Sequence, residues 1–101
     1  MKTTRKKEAV EIVEKNLDNL REIYRKLEKK TGIELDDPVA DVRIIEKDDH
    51  VLVTYDGAGY DWFSYNCEYG MKIRDRLFTA LEKEGFHAED QNKWSLSIWE
   101  N

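Results

Sequence analysis

A chain of 101 residues, 40% hydrophobic and 39% charged, is long enough for one domain with its own core, and its eleven aromatic side chains exclude a disordered polymer. No apolar run approaches the length of a bilayer span, and the basic residues 1–7 have no apolar segment behind them of the kind a secretory signal needs. The single cysteine excludes an internal disulfide and suits a reducing cytoplasm.

The net charge of −5 is unevenly spread. Residues 1–31 hold ten Lys/Arg against six Asp/Glu, and residues 32–101 hold seven against sixteen. An acidic body repels a phosphate backbone, which argues against nucleic-acid binding through residues 32–101. The basic first segment complements that body and is expected to dock on it.

Residues 4–31 place Val10, Val13, Leu17, Leu20, Tyr24 and Leu27 at alternating spacings of three and four, one stripe of a long amphipathic helix. Thr3 or Thr4 is the candidate cap, and Gly32 stands where a left-handed residue would end the helix. Lys29 and Lys30 suit the negative end of the helix dipole. Arg5, Lys6 and Lys7 oppose its positive end, which predicts a frayed first turn or a partner for those cations. A helix this long should span the body and overhang it, which also leaves room for a homodimer through the same stripe.

Residues 33–40 read as a connector in which Ile33 and Leu35 tuck under and Asp36-Asp37-Pro38 makes a turn. Residues 42–47 and 50–56 form a hairpin about Asp48-Asp49, with Ile45 opposite Leu52 and Ile44 opposite Val53. One face collects Val42, Ile44, Val51, Val53 and Tyr55. The other collects Arg43, Ile45, Lys47, His50, Leu52 and Thr54, with His50 a surface residue at the hairpin end.

Asp56-Gly57-Ala58-Gly59 makes the next turn and residues 60–66 a third strand. Asn66 caps a second helix over residues 67–84, stopped by Gly85, with Tyr69, Ile73, Leu77, Phe78 and Leu81 as its buried stripe. Residues 86–89 and 94–99 are two strands around Asp90-Gln91-Asn92, and in the last of them Trp94, Leu96 and Ile98 oppose Ser95, Ser97 and Trp99. The expected fold is α+β in the order α-β-β-β-α-β-β, a mainly antiparallel sheet over residues 41–99 packed by two helices.

No cofactor is expected. The stretch from Asp56 to Ser64 partly matches a calcium-binding β-roll unit but has no second copy to complete the coordination. The glycines of Gly57-Ala58-Gly59 lack the lysine of a phosphate loop, and one cysteine with two histidines falls short of a zinc set. Cys67 with His87 or His50 is the paper candidate for a nucleophilic site, weighed against an inert buried thiol.

The remaining signal is aromatic. Ile45, Leu52, Tyr60, Trp62 and Trp99 fall on the sheet face that the second helix leaves bare, so either the first helix covers it, as a helix–sheet–helix sandwich, or a partner does. The expected function is a non-catalytic protein-binding module, a small regulator or inhibitor acting on a basic partner surface. Its candidate binding residues are Asp56, Gly57, Gly59, Tyr60, Asp61, Trp62 and Trp99. The alternatives are a small hydrolase or transferase using Cys67 or Tyr60 and Asp61, and a nucleic-acid binder acting through the basic first helix.

Overall fold

The computed structural model describes residues 4–56 and 68–101. Its elements are α1 (Lys6–Thr31), β1 (Val42–Glu46), β2 (Val51–Tyr55), α2 (Glu68–Lys83), β3 (Phe86–Asn92) and β4 (Ser95–Glu100). The strands form one antiparallel sheet in the order β1-β2-β4-β3, so the last strand inserts between β2 and β3. The protein is α+β, in the order α-β-β-α-β-β among the described residues. The third strand expected over residues 60–66 lies outside them, as do Asn66 and Cys67.

Period-two alternation fixes which way the sheet faces. Val51, Val53 and Tyr55 of β2 and Leu96 and Ile98 of β4 are all buried, in register as Val51↔Ile98 and Val53↔Leu96. Against them pack Ala9, Val13, Leu17 and Leu20 of α1 and Ile73, Leu77 and Leu81 of α2, with Phe86 closing the end. Both helices therefore lie on one face, side by side. The helix–sheet–helix sandwich does not form, because a stripe as apolar as that of α1 gains most by joining the core that α2 already shares.

The β1–β2 hairpin has the expected register, Ile45↔Leu52 and Ile44↔Val53, closed by Lys47 N–H donating to the His50 carbonyl at 2.8 Å. The second hairpin differs from expectation. β3 runs on to Asn92 through an irregularity between Asp90 and Asn92, so the turn falls at Lys93 and Trp94. Asn92 Oδ1 holds that turn by accepting from Trp94 N–H at 3.0 Å and Ser95 Oγ at 2.8 Å. Trp94 is consequently 51% exposed instead of sharing a buried side with Leu96 and Ile98.

Gly32 ends α1 at φ 70°, its N–H bonded to the Glu28 carbonyl at 2.8 Å, and Gly85 follows α2 at φ 87°. In the connector, Asp37 Oδ1 accepts from Val39 N–H at 2.9 Å, the turn expected of Asp-Pro. It is Val39 that reaches the core, at 8% exposure, while Ile33 is 61% exposed. The expected tuck of Ile33 fails because α1 has already run past the sheet at that point.

Candidate functional site

The start of α1 shows how the chain uses the cations that oppose its dipole. The N-cap position is Arg5, and no side chain of its own caps the helix. Glu100, at the end of β4, supplies the cap: its Oε1 accepts from Thr4 N–H at 3.0 Å, Arg5 N–H at 3.0 Å and Thr4 Oγ1 at 3.1 Å. Those backbone donors hold the Glu100 carboxyl below its ordinary value. Arg5 donates to the Glu84 carbonyl at 2.8 Å, lies 4.8 Å above the Phe86 ring and pairs with Glu8. Lys6 Nζ donates to the Lys47 carbonyl at 2.8 Å. The frayed turn is thus replaced by a clasp between both helix ends and the hairpin.

A second polar cluster sits inside the core. Arg74 is 4% exposed, and its Nη2 donates to Asp90 Oδ1 and Oδ2 at 2.9 and 2.8 Å while Nη1 donates to the Tyr55 hydroxyl at 3.3 Å. The guanidinium also lies 5.3 Å above the Phe78 ring. Hydrophobic periodicity passes over such a residue. The one sequence signal was Tyr55, since a tyrosine assigned to the buried face needs a partner for its hydroxyl.

The face away from the helices carries the aromatic candidates. Its inner serines, Ser95 and Ser97, are buried, Leu52 and Thr54 are half-buried, and Ile45 is 37% exposed. At one end of this face Trp99 lies between the two histidines. His50 stacks on its ring at 4.4 Å between centroids and 25° between planes, and His87 is its cross-strand partner. His50 is therefore more than a loose surface residue: its side chain is 20% exposed and its Nδ1 lies 2.6 Å from Asp49 Oδ1. That hydrogen bond holds the Asp49 carboxyl below its ordinary value.

On the far side of Trp99, His87 Nδ1 lies 2.7 Å from Asn101 Oδ1, and His87 Nε2 lies 3.7 Å from Glu89 Oε1. These residues, with Glu100, line an open depression of about 400 Å³.

Of the predicted binding residues, Asp56 and Trp99 are described, and Gly57, Gly59, Tyr60, Asp61 and Trp62 lie outside the described residues. Asp56 is exposed just past the end of β2, whereas Trp99 stacks on His50 just before its start. Six strand positions separate them, about 20 Å at roughly 3.3 Å per residue. What joins Trp99 in space is the pair of histidines and Glu89, which sequence reasoning did not group with it. The missed signal was the β3–β4 register, which depends on where that hairpin turns.

His87 on β3 and His50, just before β2, flank Trp99 from either side of β4. Among the described residues no group of three or more His, Cys, Asp or Glu is placed to hold one. None of the described helices is long and apolar enough to cross a membrane. No family model, curated protein or solved structure matches the chain.

Proposed function

We propose that the protein is a non-catalytic protein-binding module, a small regulator or inhibitor that meets a basic partner surface in the cytoplasm. The observation that supports this reading is the Trp99 row: an indole between two imidazoles, rimmed by Asp49 and Glu89, on a face that no described helix covers. An aromatic centre with a charged rim is the anatomy of an interface anchor, and carboxylates at the rim speed the approach of a cationic patch. Arg5 and Lys6 are engaged within the chain, so they do not serve the nucleic-acid alternative. Exposed Arg25, Lys26, Lys29 and Lys30 on the outer part of α1 support that second reading, whose signature is an affinity falling steeply with salt. No observation favours the hydrolase or transferase alternative built on Cys67 or on Tyr60 and Asp61.

Capture from cell extract on immobilised protein tests the first reading. One stoichiometric partner is expected, with Trp99→Ala weakening its binding by at least about 1 kcal/mol while the melting temperature barely moves. Undiminished capture by Trp99→Ala would remove this face from the reading.

A further inference from the structure

The depression beside Trp99 has a chemistry more specific than an acidic rim. Asn101 Oδ1 accepts from His87 Nδ1, which leaves Nε2 of the neutral imidazole as a bare acceptor. That lone pair lies 3.7 Å from Glu89 Oε1, a second acceptor, and the gap is too wide for a direct hydrogen bond. Two acceptors held at that spacing call for a donor group lying between them. The Trp99 indole stands directly across from His87, and Glu89 is one step along the same face, opposite Ser97. The ring is engaged by His50 on the other side, which leaves the His87 side for an incoming group.

We propose that this depression, about 400 Å³ and lined by His87, Glu89, Trp99, Glu100 and Asn101, receives the guanidinium of an arginine side chain presented by the partner. This rests on the protein-binding reading and names the chemistry of its anchor. A guanidinium is planar, carries five N–H donors in a fixed fork and stacks on aromatic faces. One edge bridges His87 Nε2 and Glu89, and the plane lies against Trp99. An ammonium has the charge without the fork or the plane, and matches one of these features only. The groups facing His87 are Glu89 on its own strand, Trp99 on β4, and Asn101 beyond it.

The probe is the tripeptide Gly-Arg-Gly with both ends blocked, titrated into the full chain and followed by the amide, indole and imidazole resonances. Saturable shifts centred on Trp99 and His87 are expected. The citrulline tripeptide, isosteric but neutral, should not bind, and the lysine tripeptide should bind several-fold more weakly. Glu89→Gln, on an exposed position of the edge strand, should lower affinity by at least roughly fivefold.

Equal binding of arginine and citrulline, shifts centred elsewhere, indifference to Glu89→Gln, or no saturable shift would each overturn the proposal. If the tripeptide fails but Trp99→Ala still abolishes capture of the partner, the guanidinium inference falls and the binding module stands.

Discussion

The two halves of α1 carry the same spacing of apolar residues but differ in what they touch. Ala9, Val13, Leu17 and Leu20 are buried, whereas Tyr24 and Leu27, next on the same stripe, are only half-buried, and no residue from Arg21 to Thr31 is fully buried. The cause is a mismatch of lengths. Twenty-six helical residues extend about 39 Å at roughly 1.5 Å each. Strands of five to seven residues extend only about 17–23 Å. The molecule is accordingly elongated, 47 × 23 × 20 Å, and the outer half of α1 lies against its own connector through Arg21–Asp37 at 3.8 Å and Leu35 N–H to Glu28 at 2.9 Å. Periodicity selects the face of a helix; the reach of its partner decides how much of that face is used.

The sharpest way to break this comparison is a pair of truncations. Leu20→Ala should lower stability to urea by about 2–5 kcal/mol, the cost of a fully enclosed leucine, and Leu27→Ala by no more than about 1 kcal/mol. Equal costs would mean that the outer half is packed in solution. If the cost at Leu27 then shrank on dilution, the packing would be on a second copy, the homodimer that the stripe allows.

A smaller effect of opposite sign belongs to the buried half. Asn16 is 6% exposed in the seam between the helices, where Nδ2 donates to the Ile73 carbonyl at 3.3 Å and Oδ1 has no partner among the described residues. Asn16→Leu should raise stability by about 1 kcal/mol, since it removes a desolvated acceptor from a place that an apolar group fits. A loss of stability in the same urea titration would show a buried water on Oδ1.

The smallest expected effect is pH-dependent and concerns the clasp that seats the buried half. The folded Glu100 carboxyl titrates below its unfolded value, so the cap contributes above the ordinary carboxylate range and its contribution is lost as pH falls through the folded value. Glu100→Gln should therefore melt below the parent at pH 7, with the two curves converging under acid conditions. Curves that stay parallel down to low pH would show that the charge of Glu100 is not what caps α1.

Much of this was legible from residues alone. The stripe of α1, the Gly32 and Gly85 stops, the β1–β2 register and the inward set of Val51, Val53 and Tyr55 follow from spacing and turn chemistry, which are local. What escaped was long-range. Nothing near Arg5 in sequence announces Glu84 or Glu100 as its neighbours, and nothing near Trp99 announces His50. The second hairpin was misplaced because Asp90-Gln91-Asn92 has turn composition while being held in a strand by β4. Placing its turn at Lys93 and Trp94 is what aligns His87 with Trp99. The candidate site was half-visible for that reason: its aromatic member stood out, and the residues that give it a chemistry did not.

The Glu100 cap also sets an order of events during synthesis. The first helix to be made is not capped until a residue 95 positions downstream has been added, and the inner strand β4 arrives with it. At about 5–20 residues per second that interval lasts roughly 5–20 s. Throughout it the apolar stripe of α1 has no completed sheet to rest on.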